Sequence, residues 1–534
     1  MPVPMRAVAE QQLEALAVTH GTPLQLYDEQ LIRENARALL AAFRRHFPDF
    51  QQFFAVKALP NPAILKILRD EGCGMDCSSS AELHAAKEIG VPGDQVMFTS
   101  NFTSKVHVEL VDNLVAVRGR CPELITFRLN PGLGRTDSET KSNVLGGPDA
   151  KFGVAPFQIV EAYRRAKAAG ATRFGIHMMT GSCVLNQEYW RETVTVLFNT
   201  IVQLRAELGI EFEFMNIGGG LGIPYQPGQA VVDVPAIAQM LRDVFDEAMK
   251  THGLTTIPRL CMENGRYMTG PFGWLVTRCQ AIKQSYGRYY GVDACMAHLM
   301  RPGMYGSYHH ITVPAREKGD QTEREPAHVV GSLCENNDWF AKDRPLPRAE
   351  VGDLFVIYDT GAHAHSMGFQ YNGKLRAPEV LIRSDGSTSL IRKRETFDSL
   401  YGNCVMPADL CIYRCAVAAP LVGEAARHTL LFALLGREGV EDLLECRLRD
   451  GVLAYVAVAL AALDLLEDLG QPQLLLGALE LVAAHVVLAL EHLRVVFAEA
   501  LAQEGIQRQE ALLGDPPADE HPDPQRAVAL QSRG

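Results

Sequence analysis

The stretch FFAVKALPNP, residues 53 to 62, ends an apolar run on one lysine and follows it with two prolines. Aromatic and β-branched residues favour a buried strand, so we expect Lys57 at the end of such a strand. An ammonium group there is costly unless it reaches water or is chemically altered. Two interpretations stay open: Lys57 extends to solvent, or its amine forms a Schiff base with a carbonyl cofactor.

Outward from this strand, short apolar runs alternate with amphipathic helical patterns. The runs LITFRLNP (124 to 131), RFGIHMM (173 to 179) and FEFMNIGGG (212 to 220) are separated by patterns such as AQMLRDVFDEAMKTHG. This alternation predicts repeated β-α units with parallel strands, enough of them for a barrel. From about residue 270 the runs are separated by turns, and LIRSDGSTSLI predicts a hairpin because Asp-Gly lies between two apolar runs.

The sequence therefore predicts a TIM-like α/β barrel at residues 26–270 and a mainly antiparallel β domain at 271–403, to which residues 1–25 contribute. The Leu/Ala-rich residues 404–512 predict an α-helical extension, because charged residues interrupt each apolar block before it reaches the length of a bilayer span. We expect this extension to pack on itself or on a protein partner. The Pro- and charge-rich residues 513–534 predict a disordered tail.

Composition narrows the class of protein. The chain has 534 residues, 47% of them hydrophobic, and a formal net charge of -12, which disfavours general binding to nucleic acid or anionic membranes and favours small-metabolite partners. Its twelve cysteines form no repeated C-x-x-C pair, and acidic residues occupy the N-terminal stretch where a signal peptide has an apolar core. We expect a cytoplasmic protein with free thiols.

Two motifs can hold an anion or a heterocycle. In NIGGGLGIPY (216 to 225), the glycines follow a predicted strand and let the backbone approach a phosphate, although a plain tight turn explains them equally well. The spacing does not fit a dinucleotide-binding G-x-G-x-x-G. In CMENGRYMTGP, Glu263 can keep a pyridine nitrogen protonated and Arg266 can hold a phosphate or carboxylate; a surface ion pair is the alternative.

Three further stretches carry polar groups near predicted strand ends. His177 ends RFGIH and is either structural or stacked on a planar cofactor. In GSLCENNDWFAKDRPLP, Cys334 is a candidate proton donor or nucleophile, or else a small buried hydrophobe. The arginine and tyrosines of RPGMYGSYHH and MGFQYNGKLRAPEV can bind a carboxylate, or lie on the surface.

The chain closely resembles the meso-diaminopimelate decarboxylases over residues 20 to 400. The resemblance lies in eight motifs taken in order: FFAVKALPNP, GMDCSSSAEL, RFGIH, NIGGGLGIPY, ENGR, RPGMY, CENNDWFA and YNGKLRAPEVL. These are pyridoxal 5'-phosphate (PLP) enzymes of fold type III, with an alanine-racemase-like barrel. The resemblance implies decarboxylation of meso-2,6-diaminopimelate to L-lysine, the last step of lysine biosynthesis. It also implies a homodimer whose active sites are shared across the interface.

The resemblance implies a role for each matching residue. Lys57 matches the lysine that carries PLP covalently, His177 the histidine stacked on its ring, and Glu263 the carboxylate paired with the ring nitrogen. Cys334 matches a proton donor and Glu335 a binder of the distal ammonium, both reaching across the interface. The catalytic residues are thus Lys57 and Cys334. The implied cofactor-binding residues are Lys57, His177, Gly219, Gly220, Glu263, Gly265, Arg266 and Tyr371. The implied substrate-binding residues are Arg266, Arg301, Tyr305, Glu335 and Tyr371.

The sequence departs from the family at several points. HMMTGSC stands where the family has H-x-G-S, which leaves open whether Ser182 replaces the usual serine, and ENGR and CENND replace E-P-G-R and C-E-S-G-D. Decarboxylases of ornithine, lysine or carboxynorspermidine share the cofactor residues and remain alternatives. A non-catalytic relative acting through protein interaction is a further alternative, while CENNDWFA disfavours a racemase.

Overall fold

A seven-stranded parallel sheet forms the first half of the fold. The computed structural model describes residues 3–99, 122–134, 145–317, 319 and 322–407, so the predicted extension and tail lie outside the described residues from residue 408 onward. The strands of this sheet are β2 (Gln51–Ala55), β3 (Gly74–Cys77), β4 (Val96–Phe98), β5 (Leu124–Leu129), β6 (Arg173–Met178), β7 (Phe212–Asn216) and β8 (Arg259–Met262).

The strand order shows that this sheet is a barrel. The order is β4-β3-β2-β8-β7-β6-β5, and every neighbouring pair is parallel. Because β8 pairs with β2, the last strand returns to the first, as barrel closure requires. The order breaks between β4 and β5, and the chain that connects those strands includes residues 100–121, which lie outside the described residues.

Helices lie between the barrel strands, as the alternating pattern predicts. They are α2 (Glu29–Arg44), α3 (Pro62–Asp70), α4 (Ser80–Glu88), α5 (Pro156–Ala168), α6 (Glu188–Leu208) and α7 (Val234–His252). Their buried aromatic residues Phe43, Trp190, Phe198 and Phe245 pack in one core with the strands, which contribute Phe54 of β2.

The turn after β2 differs from the sequence prediction. The strand ends at Ala55, and Lys57 lies in a short 3-10 turn, Val56–Ala58, with its side chain 58% exposed. Lys57 is therefore not held in an apolar pocket at the end of the strand. The second proline, Pro62, has a local explanation: it takes the first position of α3, where no N–H is needed. The residue before it, Asn61, caps the helix, because its side chain accepts a hydrogen bond from the Ala63 N–H at 3.0 Å.

A second, mixed sheet forms the β domain. Its strands are β1 (Leu24–Asp28), β9 (Gly273–Gln284), β10 (Arg288–Val292), β11 (Ile311–Thr312), β12 (Glu325–Val330), β13 (Trp339–Leu346), β14 (Leu354–Ile357), β15 (Glu379–Ile382) and β16 (Thr388–Arg392). The main order is β13-β12-β10-β9-β1-β15-β16, and β14 joins β11 to β9. Most pairs are antiparallel, while β1–β15 and β10–β12 are parallel.

The hairpin prediction is confirmed, because β15 and β16 pair antiparallel across the Asp-Gly turn. Short helices complete this part of the chain: α1 (Ala7–His20), α8 (Arg266–Thr269), α9 (Arg301–Tyr305) and α10 (Phe397–Tyr401). The predicted fold class, a barrel with a mainly antiparallel β domain, is thus confirmed.

A buried carboxylate joins the two sheets. Glu379 in β15 is fully buried and pairs with Arg392 in β16. It also accepts from the Tyr27 hydroxyl at 2.5 Å and from Nδ2 of Asn61 at 2.9 Å. Since Asn61 caps α3 of the barrel, the Glu379 side chain connects the β domain to the segment that follows the Lys57 turn.

Candidate active site

The carboxyl ends of the barrel strands bring several predicted residues together. Lys57 follows β2, Asp76 lies in β3, His177 in β6 and Asn216 in β7, and Glu263 follows β8 directly. In β/α barrels, this end of the sheet carries the reactive groups.

Glu263 has a neighbour at each carboxylate oxygen. Nδ2 of Asn216 donates to Oε1 at 2.6 Å, and Nε2 of His177 lies 3.3 Å from Oε2, at ion-pair distance but outside hydrogen-bonding geometry. Burial alone raises the pKa of Glu263, but His177, Lys57 and Asn216 outweigh it and hold that pKa well below its usual range. Glu263 is therefore an ionised carboxylate in a buried site, suited to pair with a protonated ring nitrogen.

Lys57 faces a second buried acid that was not singled out from the sequence. Its Nζ lies 3.9 Å from Oδ2 of Asp76, and Oδ1 of Asp76 has no hydrogen-bond partner among the described residues. Burial and the nearby charge of Glu263 raise the pKa of Asp76. The amine thus lies beside a carboxyl group that can exchange a proton near neutral pH.

The glycines allow close backbone contacts around this site. A Cβ on Gly219 would lie 2.2 Å from the carbonyl oxygen of Glu263, and a Cβ on Gly265 would lie 2.7 Å from Cβ of Ala58. Gly220 has φ +100°, which favours glycine, and its N–H has no acceptor among the described residues. The Gly219 N–H donates to Sδ of Met179 at 3.2 Å. The loop after Glu263 therefore packs against the Lys57 turn. The Gly220 N–H can donate a hydrogen bond to an anion.

Two arginines, Arg301 buried and Arg266 partly buried, form a cluster around one tyrosine. Nη1 of Arg266 donates to the Tyr225 hydroxyl at 2.7 Å, while its Nε has no partner in the part of the chain that the structure describes. The Arg301 guanidinium lies 4.6 Å from the centre of the Tyr225 ring and contacts Nε2 of His309 at 2.9 Å. Tyr305 follows one turn after Arg301 in α9. This cluster is positive and can hold a carboxylate.

A third predicted group is brought together elsewhere on the same chain. The Cys334 N–H donates to Oδ1 of Asn372 at 2.7 Å, and the Tyr371 hydroxyl donates to the Cys334 carbonyl at 3.2 Å. Glu335 accepts from the backbone and side chain of Asn337. Cys334 and Tyr371 are exposed. Within the described residues, we find no contact of this group with Lys57 or Glu263.

Sequence reasoning missed His363, which lies close to the Lys57 turn. Its N–H donates to the Ala58 carbonyl at 2.9 Å, and its φ is +57°. Burial, and then Arg266, Arg301 and Lys57, lower the pKa of its imidazole, which stays neutral. The positive φ of a non-glycine residue is a conformational signal that no local pattern reveals.

Tyr225, Asp76, Asn216 and His309 were also missed as site residues, although NIGGGLGIPY contains two of them. Asp76 and Asn216 are polar residues at or near the carboxyl ends of β3 and β7, and this placement was the available signal for them. Tyr225 and His309 lie in loops, where no local pattern marks them.

The residues present fit PLP. An ionised buried carboxylate suits the pyridinium nitrogen, the Gly220 N–H suits a phosphate, and an exposed lysine amine suits the aldehyde. In the described range, no helix has the length and apolar character to cross a bilayer. The eight cysteines described are all unpaired.

Comparisons with known proteins agree with this chemistry. Residues 33–270 match the family model described as "Pyridoxal-dependent decarboxylase, pyridoxal binding domain". Protein TabA of Pseudomonas amygdali pv. tabaci is 42% identical over 73% of this chain and 93% of TabA. A diaminopimelate decarboxylase of Methanothermobacter thermautotrophicus is 38% identical over 74% of this chain and 94% of that enzyme.

Solved structures show the same similarity. The crystal structure of the diaminopimelate decarboxylase from M. jannaschii in complex with L-lysine aligns with a TM-score of 0.67 and 30% identity, covering 74% of this chain and 95% of that one. A diaminopimelate decarboxylase from Helicobacter pylori, also complexed with L-lysine, aligns with a TM-score of 0.65 and 27% identity, covering 73% and 98% of the two chains.

Proposed function

Because this chain belongs to the pyridoxal-dependent decarboxylase family that includes the diaminopimelate decarboxylases, we propose that it converts meso-2,6-diaminopimelate to L-lysine. It is a PLP-dependent amino-acid decarboxylase, and the reaction releases carbon dioxide. Its proposed place is the last step of lysine biosynthesis.

The two arginines, Arg301 buried and Arg266 partly buried, carry the choice of substrate. Their hydrogen-bond partners Tyr225 and His309 are neutral, and Nε of Arg266 has none among the described residues. The acid near Arg301, Asp359, is weakened as a counter-charge because burial raises its pKa to about 7, so an incoming carboxylate is favoured. Diaminopimelate brings a second carboxylate at its distal end, whereas ornithine and lysine would bring an ammonium group there. Ornithine and lysine decarboxylation are therefore the weaker candidates.

In the mechanism, PLP supplies the electron sink for the electron pair that remains when carbon dioxide leaves. Lys57 Nζ would be the attachment point for this group, and Asp76 beside it would take and return protons as that amine is bound and freed. Glu263 would hold a proton on the ring nitrogen, because its own carboxyl group stays ionised. The proposed stacking of His177 on the ring would keep its Nε2 close to Glu263.

The proton donor comes from a second subunit in this proposal. Cys334 and Glu335 make no contact with Lys57 within the described chain, and Cys334 is exposed. A homodimer would bring the partner's thiol to the α-carbon, where it delivers the proton, and the partner's Glu335 to the distal ammonium. Tyr371 lies with them, so its proposed contact with cofactor and substrate also belongs to this face.

Two further assignments remain proposals. A cytoplasmic location fits a metabolic decarboxylase with unpaired thiols. A protein partner for the predicted helical extension at 404–512 rests on the sequence pattern alone.

The direct test combines the protein with PLP and meso-diaminopimelate and follows lysine and carbon dioxide together. We expect both products in equal amounts. Lys57→Ala should abolish turnover, whereas Lys66→Ala, which changes an exposed lysine of α3, should leave turnover near that of the unaltered protein. Normal activity of Lys57→Ala would refute the proposed chemistry.

The other outcomes identify the alternatives. If PLP binds but diaminopimelate is not consumed, the substrate assignment is wrong, and ornithine, lysine and carboxynorspermidine become the candidates to assay. If no PLP absorbance band forms, the chain is a non-catalytic relative.

A further inference from the structure

His309 is completely buried beside the arginine cluster and has a partner on each ring nitrogen. Nδ1 lies 2.8 Å from the carbonyl oxygen of Tyr358, and Nε2 lies 2.9 Å from Nη1 of Arg301. A carbonyl oxygen only accepts, so Nδ1 carries the proton. Nε2 is then the acceptor for the Arg301 N–H. The two contacts together fix one tautomer of a neutral imidazole.

The surroundings keep the ring in this state. The Tyr225 ring packs edge-on against His309, with centroids 5.1 Å apart, and the backbone carbonyl of His309 accepts from Arg344 at 2.8 Å. Burial and the charges of Arg301, Arg266 and Arg344 lower the pKa of the imidazole. A proton on Nε2 would direct an N–H at the guanidinium and break the contact.

This contact restrains Arg301 more closely than its other partners do. The other hydrogen bond of the guanidinium among the described residues, from Nη2 to Oγ of Ser307, is 3.3 Å long. The Tyr225 ring centre lies 4.6 Å from the guanidinium carbon. The shorter contact with His309 therefore restrains the rotation of the guanidinium most closely. A rotated guanidinium presents a poorer donor pair to a carboxylate, because a bidentate contact depends on direction.

We propose that His309 is a positioning residue that aligns Arg301 for the distal carboxylate of the substrate, and so sets selectivity for ligands that carry that group. This inference rests on the proposed function, in which Arg301 binds that carboxylate. His309 itself contacts neither substrate nor cofactor in this proposal.

The two contacts can be separated by substitution. Asparagine places an N–H near the position of Nδ1 but does not reach Arg301, so His309→Asn keeps the anchor to Tyr358 and removes the acceptor. Glutamine reaches as far as Nε2 and offers an oxygen there, so His309→Gln keeps the acceptor and loses the anchor. The same changes at His310, whose Nδ1 has no partner in the described chain, are matched controls.

The experiment measures dissociation constants of L-lysine and cadaverine from the absorbance change of the PLP-loaded enzyme. Bound as the product, with its ε-amine at the cofactor, L-lysine keeps the distal carboxylate, and cadaverine differs from it only in lacking that group. We expect His309→Asn to weaken lysine binding about tenfold and to leave cadaverine within about twofold. His309→Gln should stay within about threefold of the unaltered protein for both ligands, as should the His310 variants.

Each other outcome has a distinct meaning. If His309→Asn weakens both ligands equally, or neither, His309 does not position Arg301 and the inference is wrong. If the unaltered enzyme does not distinguish lysine from cadaverine, the proposed carboxylate site itself is wrong. If His309→Asn does not fold, His309→Gln decides alone: lysine binding about tenfold weaker with cadaverine unchanged, although this variant keeps the acceptor for Arg301, overturns the inference.

Discussion

At the scale of single residues, Asp359 shows how the β domain tolerates a buried acid near Arg301. Its side chain is buried, its φ is +60°, and Oδ2 has no hydrogen-bond partner among the described residues. Burial raises the pKa of this carboxyl group to about 7, although Arg301 opposes the shift. The group is thus largely protonated in the folded protein at pH values where it is ionised in the unfolded chain.

The pH dependence of stability follows from that shift. The folded pKa lies above the ordinary value of 3.8, so Asp359 lowers the free energy of unfolding progressively as pH rises from about 4 to about 7. Asparagine tolerates a positive φ and does not ionise. We expect Asp359→Asn to be more stable than the unaltered protein by a margin that grows over this range to about 4 kcal/mol.

Urea unfolding at pH 4, 5.5 and 7 measures that margin. A margin that does not change with pH would show that the carboxyl group of Asp359 ionises as readily in the folded protein as in the unfolded chain.

At the scale of elements, Glu379 connects β15 to β1, to β16 and to the cap of α3. Burial opposes its ionisation, but His365, Arg392 and Tyr27 hold the pKa of this carboxyl group below its usual range. A buried ionised group that loses its charge leaves its partners unpaired, and this is more costly than the loss of an exposed ion pair.

We expect Glu379→Gln to lower the free energy of unfolding by about 3 kcal/mol at pH 7. Because the folded pKa is depressed, this contribution is present above the ordinary value of 4.5 and is lost as pH falls through the folded pKa. Glu350→Gln, which changes an exposed partner of Arg316, serves as a control and should cost less than about 1 kcal/mol. Equal effects of the two changes in chemical denaturation would contradict the role assigned to Glu379.

Elements were more predictable from the sequence than the contacts between them. The strand at Arg173–Met178 and the hairpin of β15 and β16 follow local patterns of apolar and turn residues, and both are present. The exposure of Lys57 depends on the exact strand end, and the orientation of His309 toward Arg301 depends on the carbonyl of Tyr358, which is 49 residues later in the sequence. Such contacts are set by tertiary packing, which periodicity does not encode.

At the scale of the whole molecule, the proposed active site needs two subunits. Lys57 and Cys334 belong to groups that make no contact with each other within the described chain. The exposed Cys334 and Tyr371 lie beside the turn at Gly373, where a Cβ would lie 3.2 Å from the hydroxyl of Tyr401 in α10. We expect this face to meet the partner subunit.

Mixing two inactive variants tests the shared site. Lys57→Ala and Cys334→Ala dimers, exchanged at random, should form mixed dimers with one intact site each and recover about one quarter of full turnover. A mixture of Lys57→Ala with the Lys57→Ala/Cys334→Ala double variant should recover none. Failure of the first mixture, with mixed dimers demonstrated by differently tagged subunits, would contradict a site shared across the interface.

The pairing of β1 has a consequence for the order of folding during synthesis. Leu24 pairs with Val276, and Gln25 with Glu379, so the first strand of the β domain waits for partners about 250 and about 350 residues later. At translation rates of about 5–20 residues per second, that delay is at least about 12 s. The barrel strands between them can pair during this interval. An early-made strand with its edges unpaired is then a point where nascent chains can associate wrongly or bind a chaperone.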